Sequence, residues 1–339
     1  RARYAGKRYL LYSIGGASMG FLAVVFFAGY GGANALFTLG GTLDPALTAG
    51  HETLLRTVFT LAFFGFGVKA AIMPFSAWLP AASVAPTPVT ALLHAVAVVK
   101  AGAFACIRLT YYTFGTEIVR GTFAQYIPMA AAIFTIVYGS ARALRTNHLK
   151  RRFAYSTVSN LSYILLAVTL MSGSGLAAAA MHMVSHAFVK IALFFCVGAA
   201  LEREGAEYLD QIEGIGRRMP VTFGCFVVAS AALIGLPPLP VFFSKWAIGE
   251  AAMGLSSGWA YTVLAALLVS TTLTALYTLS IAVRAFFPLG EAPAKAQPRT
   301  ETRSMTTAIV IVTVCIVALG FTSGQLFPAI SAWLIGGAA

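Results

Sequence analysis

The chain has 339 residues, of which 59% are hydrophobic and only 10% charged, with a mean hydropathy of +0.82. Soluble domains carry about 25% charged and about 45–50% apolar residues, so a soluble enzyme, a disordered chain and a tethered nucleic-acid binder are excluded, and an all-α integral membrane protein of many spans remains. The formal net charge of +12, from 23 Lys+Arg against 11 Asp+Glu, falls mostly in loops, where the preference of basic residues for the cytoplasmic side explains it without nucleic acid.

Apolar runs bounded by charged or Gly/Pro-rich segments predict about nine transmembrane helices, roughly 9–30, 53–80, 86–112, 126–147, 154–172, 174–201, 219–249, 260–286 and 305–335. No soluble domain intervenes, because the longest loops (31–52, 202–218 and 287–304) run to only about twenty residues. The chain opens on Arg1, not Met, and Arg1-Ala-Arg-Tyr-Ala-Gly-Lys-Arg8 leads into a helix with no cleavable signal pattern; it reads as the C-terminal portion of a longer chain. With the N-terminal end in the cytoplasm, that side carries sixteen Lys+Arg in 1–8, 141–153, 202–218 and 284–304. The other side carries Arg56, Arg108 and Arg120. The bias predicts a multi-pass protein of the cell inner membrane, with an odd number of spans and an outside C-terminus.

The second and seventh spans are predicted to be broken. The second holds Pro74 and Pro80 around Phe-Ser-Ala-Trp, and the seventh holds Pro237, Pro238 and Pro240 before Phe-Ser-Lys-Trp. Proline frees backbone carbonyls, and irregular backbone at membrane depth is tolerated only against protein or water. Paired broken helices point to a transport site in an internally repeated fold; two ordinary proline kinks are the plainer alternative.

The informative residues are bases stranded in apolar runs: Lys69 in the second span, Lys100 in the third, Lys190 in the sixth and Lys245 after the second break. Each costs about 2.5–3.5 kcal/mol to insert, on the order of 10 kcal/mol for four. Snorkelling to the interface is the alternative, apt for Glu250, less so for Lys245 and weak for Lys69 and Lys190. In the sixth span His182, His186 and Lys190 are spaced i, i+4, i+8, along one stripe of about 12 Å whose rungs lie ~6 Å apart, within reach of bridging water. Imidazole both donates and accepts protons near neutrality, so the stripe reads as a proton wire. The rivals are a pair of core histidines or a zinc site, but His182-Met-Val-Ser-His186 lacks the glutamate of the zinc-protease motif and an evident third ligand. His94 lies six residues before Lys100, about 120° around the helix, so the two need not share a face; His51 and His148 lie in or beside loops. An inventory of Lys and His, not carboxylates, favours H⁺ over Na⁺. Cys106, Cys196, Cys225 and Cys315 all sit in apolar runs without paired spacing and read as small core hydrophobes. No metal, cofactor, catalytic or redox motif is evident, so any driving reaction belongs to other subunits.

Val68-Lys69-Ala-Ala-Ile-Met-Pro74-Phe-Ser-Ala-Trp-Leu-Pro80, followed by Ala85-Pro-Thr-Pro-Val-Thr-Ala-Leu-Leu-His94, resembles the antiporter-like proton-conducting subunits of respiratory complex I, membrane-bound hydrogenases and Mrp cation/proton antiporters. Arg151-Arg-Phe-Ala-Tyr-Ser-Thr-Val-Ser-Asn160, the His182/His186/Lys190 stripe and Phe243-Ser-Lys245 extend the likeness over most of 60–250; the N-terminal helix and 260–339 match only in hydropathy. The resemblance implies a bundle of about fourteen helices with two inverted repeats of five, each with a broken helix, of which this chain supplies the last nine. Residues 1–112 are then the remainder of the first repeat, 113–290 the second repeat and 291–339 a C-terminal helix. It further implies that Lys69 is the lysine of the first broken helix, and that Lys100 and His94 match bases of the next helix. Lys190 is then the central lysine approached by His182 and His186, and Lys245 the terminal station near the exit. The family's glutamate partner of the first lysine lies upstream of Lys69, whereas here no acidic residue precedes Asp44. The expected role is proton translocation in a complex I-like or hydrogenase-like assembly with redox partner subunits. A subunit of an Mrp-type Na⁺/H⁺ antiporter and a non-conducting structural subunit are the alternatives.

Overall fold

The structure, a computed structural model, describes residues 2–31, 39–255, 257–288 and 301–336. Arg1, Lys295 and Arg299, three of the basic loop residues weighed above, lie outside them. The described residues form a helical bundle without strands; a lone bridge pairs His148 with Tyr208. The principal helices are α1 (Ala2–Tyr30), α2 (Glu52–Gly67), α3 (Thr87–Ala95), α4 (Val98–Ile107), α5 (Phe123–Arg145), α6 (Leu149–Thr169), α7 (Gly173–Glu204), α8 (Pro220–Ile234), α9 (Pro240–Ala252), α10 (Ser257–Phe286) and α11 (Arg303–Gly336).

Among the described residues, six helices are long and apolar enough to cross a membrane: Arg3–Tyr30, Thr87–Phe114, Phe123–Arg145, Gly173–Glu204, Gly258–Phe286 and Arg303–Ala332. The other three expected spans do not qualify on length and composition alone. Two are divided into shorter limbs, α2 with the turn Trp78–Ala81, and α8 with α9. The third, α6, carries Ser156, Thr157, Ser159, Asn160 and Ser162, every one of them buried. A helix this polar is stable at membrane depth because α5 and α7 wrap it and its hydroxyls find partners inside the protein. In contrast, α1 exposes Leu10, Leu11, Ile14, Phe21 and Val24, and α11 exposes Ile311, Val314 and Phe321, so these two present apolar flanks outward.

The basic loops gather at one end of the bundle. Leu149 N donates to Glu207 O at 3.0 Å, Leu209 N to Asn147 O at 3.0 Å and Gly214 N to Arg284 O at 3.0 Å. A cavity at this end is lined by Tyr4, Arg8, Arg142 and Arg151. The opposite end is tied by Gly40 N to Tyr111 O (3.1 Å), Arg56 Nε to Ile118 O (2.9 Å) and Arg120 to Met171 O. The segregation expected from loop charge is therefore present in the fold, Arg56 and Arg120 lying at the sparsely charged end.

Both proline-rich breaks are real. α2 stops at Gly67, and the chain turns through 68–77, where Ala71 has φ +56° and Met73–Pro74 is cis. Ile72 N returns to Gly67 O (3.0 Å), Trp78 Nε1 satisfies Val68 O (2.8 Å) and Met73 N finds Thr135 Oγ1 of α5 (3.0 Å), so the freed backbone groups are answered from within the protein. α8 ends on Gly235 at φ +93°, Pro237–Pro238 is cis, and Pro240 occupies the first turn of α9, where its missing N–H is harmless. A third interruption, at Val96 and Ala97 between α3 and α4, has no proline to announce it, and the same span closes on a π-helical turn over Arg108–Phe114.

These interruptions correct two placements and refine a third. Lys69 is not inside a helix but in the turn after α2, and it is half-buried; Lys100 is in the first turn of α4; Lys245, beyond the second break, rides within the second limb of that broken helix, α9.

Candidate functional site

α7 is the axis of the site. Ser172 caps its start by accepting from Gly175 N at 3.0 Å, and Gly205, left-handed at φ +66°, ends it. Between these caps the i, i+4, i+8 spacing puts His182, His186 and Lys190 on one buried face, each 0% exposed. The two imidazoles stack nearly parallel, with ring centroids 6.1 Å apart, matching the expected rung.

Each station on this stripe is met by a different helix. Lys190 Nζ donates to Ser156 Oγ of α6 at 2.6 Å and to Phe153 O at 3.3 Å. His186 Nδ1 lies 2.5 Å from Lys100 Nζ of α4, so the third interruption serves to aim Lys100 at the stripe. His182 Nδ1 lies 2.9 Å from Ser244 Oγ of α9 and its ring stacks on Tyr163 at 5.3 Å. The next residue along α9 is Lys245, whose Nζ donates to Leu233 O (3.2 Å), Ile234 O (2.9 Å) and Thr271 Oγ1 (3.2 Å) and lies 5.2 Å from the Tyr163 ring centre. It thus caps the carbonyl end of α8, where the helix dipole attracts a cation.

Lys69 stands apart from these five. Its Nζ donates to Ser13 Oγ (2.7 Å) and Tyr9 Oη (3.0 Å) of α1 and sits 4.4 Å from the Tyr9 ring centre. Gly102 of α4 closes on its Cβ so tightly that an added methyl group there would come within 2.6 Å. The structure therefore joins Lys69 to Lys100 through backbone packing, not through a side-chain bond. His94 is fully buried and stacks on Phe194 of α7 at 5.3 Å, within Coulombic reach of Lys190 and Lys100 but bonded to neither. The angular argument from one continuous helix does not apply, because the break at Val96 and Ala97 puts His94 on α3 and Lys100 on α4. Glu250 is exposed at the surface. All four cysteines are free thiols.

Several buried polar atoms have no hydrogen-bond partner among the described residues: both ring nitrogens of His94, Nε2 of His182 and of His186, and Asn160 Oδ1. Such atoms are expensive to bury dry, and ordered water is their usual complement. The interior face of α7 thus combines titratable bases, hydroxyls and polar atoms open to further partners. Among the described residues no carboxylate forms an ion pair with Lys69, Lys100, Lys190 or Lys245; the ion pairs found are His148–Glu207, Arg218–Glu204 and Arg284–Glu213.

Ser156, Ser244, Tyr163, Thr271, Tyr9 and Ser13 complete this arrangement and were not singled out from the sequence. For Ser156 a signal existed: α6 packs five hydroxyl or amide residues into seven positions, 156–162, of what is otherwise an apolar helix. Tyr9 and Ser13 carry no such mark, because their role follows only from the way α1 crosses the first break.

The family described as NADH:quinone oxidoreductase/Mrp antiporter, transmembrane, matches residues 1–274. NADH-quinone oxidoreductase subunit N of Desulforudis audaxviator is 33% identical, the match covering 96% of this chain and 66% of the relative. NAD(P)H-quinone oxidoreductase chain 4 1 of Synechococcus elongatus is 31% identical over 88% of this chain and 56% of its own. The chain thus spans between about half and two thirds of the length of these curated relatives. Among solved structures, a chain of the membrane-bound sulfane sulfur reductase, an archaeal respiratory membrane complex, superposes with a TM-score of 0.83 at 26% identity, over 99% of this chain and 66% of that one. A chain of the Mrp complex from Dietzia shares the fold, with a TM-score of 0.80 at 21% identity over 99% and 70% of the two chains. A chain of respiratory complex I from Thermus thermophilus superposes at 0.70 with 25% identity, over 98% and 70%. This multi-pass membrane chain belongs to the NADH:quinone oxidoreductase/Mrp antiporter transmembrane family.

Proposed function

We propose that the chain translocates protons across the membrane as an antiporter-like subunit of a complex I-like or hydrogenase-like assembly, through Lys69, Lys100, His186, His182, Lys190 and Lys245, with His94 as a side station. The observation that carries this reading is Lys190, a lysine with no exposed surface, held at the middle of a long apolar helix by a serine hydroxyl and a backbone carbonyl. An amine at that depth has no structural task that a Leu would not perform at lower cost. The Lys100–His186 and His182–Ser244 contacts supply neighbours at hydrogen-bond distance on the way to Lys245. The gathering of the Lys/Arg-rich loops at one end supports a cell inner membrane location with the basic end cytoplasmic. The two breaks, each met by a glycine of a crossing helix (Gly102 on the first, Gly320 on the second), support the division into a first repeat within 1–112, a second within 113–290 and a last helix within 291–339.

Replacing Lys190 by Ala in the assembled complex, reconstituted into liposomes with an internal pH dye, is expected to lower proton transport by roughly 100-fold or more, the scale for losing a positioned proton carrier. Assembly, read from the co-purifying subunits, stays intact. Transport at the parent rate in that variant overturns the proposal. The kinship with the Mrp fold favours one second reading, a subunit of a secondary Na⁺/H⁺ antiporter. Co-purification with small membrane subunits alone would select it over redox partners.

A further inference from the structure

We propose that the hydroxyl face of α10 forms a second relay between Lys190 and Lys245, independent of the histidines; this rests on the proton-translocating reading above. Ser270, Thr271, Thr274 and Tyr277 fall on one side of α10 at i, i+1, i+4 and i+7, and the line from Tyr277 to Thr271 rises about 9 Å. At one end Lys190 donates to Ser156 Oγ at 2.6 Å, and Ser156 Oγ lies 2.5 Å from Tyr277 Oη. Three residues before Tyr277 on the same side of α10, Thr274 donates its Oγ1 to Ser270 O at 2.7 Å. Ser270 Oγ closes a triangle of hydroxyls with Ser140 (2.7 Å) and Ser159 (3.3 Å), themselves 2.8 Å apart. Tyr163 Oη, whose ring centre lies 5.2 Å from Lys245 Nζ, is buried with no hydrogen-bond partner among the described residues. At the other end Thr271 Oγ1 receives Lys245 Nζ at 3.2 Å.

A hydroxyl that only serves its own helix donates to the carbonyl four residues back, as Thr278 does to Thr274 O and Thr274 to Ser270 O, both at 2.7 Å. Here Ser156–Tyr277 and the serine triangle are contacts of hydroxyl with hydroxyl, each group able to donate and accept, and the line ends on an amine at both sides. Transfer balances along it. The Lys190 ammonium gives its proton to Ser156 Oγ, Ser156 gives its own to Tyr277, and each O–H bond broken is matched by one formed. The Lys245 amine takes up the last proton. Every hydroxyl ends neutral and resets by rotation. The junctions at Tyr277–Thr274 and Tyr163–Thr271 are completed by hydroxyl rotation or by a water, for which Tyr163 Oη and Asn160 Oδ1, one turn beyond Ser156, offer buried polar partners.

The test is Tyr277→Phe, which keeps the ring and removes the hydroxyl, in the assembled complex in liposomes, both alone and with His182→Phe. Transport per assembled complex is expected to fall about twofold or more in the single variant and by roughly 100-fold when both carriers are gone. Thr278→Val, equally buried on the same helix, is expected to transport at the parent rate. Tyr277→Phe that transports like its parent in both backgrounds, or a loss no greater than that of Thr278→Val, overturns the relay. If Lys190→Ala abolishes transport while Tyr277→Phe does nothing, only the relay falls; if Lys190→Ala transports normally, the underlying reading falls with it.

Discussion

Gly102 is where α4 presses on the first break, and its replacement by Ala tests whether that packing positions Lys69. A Cβ at 102 would lie 2.6 Å from Ala70 N, 2.6 Å from Lys69 Cβ and 2.9 Å from Lys69 C. Ordinary contact begins near 3.4 Å, so the overlap is about 0.8 Å. Two of the three atoms are backbone and cannot rotate away, so either α4 or the turn has to shift by ~1 Å, and overpacking of this kind costs about 1–3 kcal/mol. The turn carries Lys69, whose amine is seated on Ser13 and Tyr9 of a different helix at 2.7 and 3.0 Å; a shift of that size breaks at least one of the two bonds. Misplacement by ~1 Å can lower the rate of a positioned transfer by up to about 10²-fold. Gly102→Ala is therefore expected to lower proton transport per assembled complex by about tenfold or more and to lower the melting temperature in detergent by a few degrees. Gly6→Ala, whose Cβ meets nothing within 4 Å, serves as the control. A Gly102→Ala variant that melts earlier but transports at the parent rate would refute the link between this packing and Lys69. Parent values for both would refute the packing argument itself.

Two further outcomes concern the basic end of the bundle. His148, at the start of α6, bonds Glu207 through Nε2 at 3.0 Å; burial holds its pKa below the usual 6.5, Arg151 and Lys150 add to the lowering, and Glu207 opposes it. The unfolded chain then binds more protons than the folded one just below pH 6.5, so the neutral ring's contribution to stability is present above that pH and is lost as pH falls through the lowered value. Melting temperature between about pH 7 and pH 5 should fall more steeply for the parent than for His148→Gln, and equal slopes would dismiss the assignment. Arg152, 2% exposed, ties α6 to α10 and to the preceding loop by donating to Tyr277 O (3.1 Å), Ser280 Oγ (2.9 Å) and Thr146 O (3.1 Å). Arg152→Leu should destabilise by about 2 kcal/mol or more, because charge-assisted bonds to buried acceptors are lost, and an unchanged melting temperature would count against that bracing role.

The local features of the site were legible because they are written at short range. The i, i+4, i+8 stripe on α7 needs only helical periodicity, and the two breaks need only proline's missing N–H. Loop charge alone sorted the two ends of the bundle. What was hidden depends on contacts between helices far apart in sequence. Nothing near Val96 and Ala97 announces the interruption that turns Lys100 toward His186, a residue 86 positions away. Lys245 does lie beyond its break, but proline marks where a helix stops and not what the next limb folds onto. Its amine folding back onto Leu233 O and Ile234 O is a tertiary event. α6 fails the test of hydropathy for the same reason that it matters: its polar residues are answered inside the bundle, and hydropathy measures only fitness for lipid.

The partners chosen for the lysines bear on how they can work. A buried lysine paired with a carboxylate that then loses its proton strands an anion in a low-dielectric interior, and the energy of uncompensated burial resists the step. Lys190 rests instead on Ser156 and a carbonyl, Lys100 on an imidazole, and Lys69 on Ser13 and Tyr9. A hydroxyl that accepts from an ammonium can rotate and donate to the resulting amine, and an imidazole exchanges its donor and acceptor roles by changing tautomer. Each station therefore keeps a hydrogen bond in both of its protonation states with no residual charge beside it. On the proposed path, the control of direction would fall to electrostatics among the stations. A proton on Lys100 repels one on His186, its immediate neighbour, and every further charge along the α7 face adds to that repulsion. On the proposed path, a cation arriving at one end would displace the next along the line, and a perturbation at Lys69 or Lys100 would reach Lys245 without large helix movements. Carboxylate partners placed beside every amine would screen that push. Introducing one, as Ser156→Asp, is expected to pin the proton on Lys190 and stop transport in a complex that still assembles; transport at the parent rate would show that neutrality of the partner is not what the relay requires.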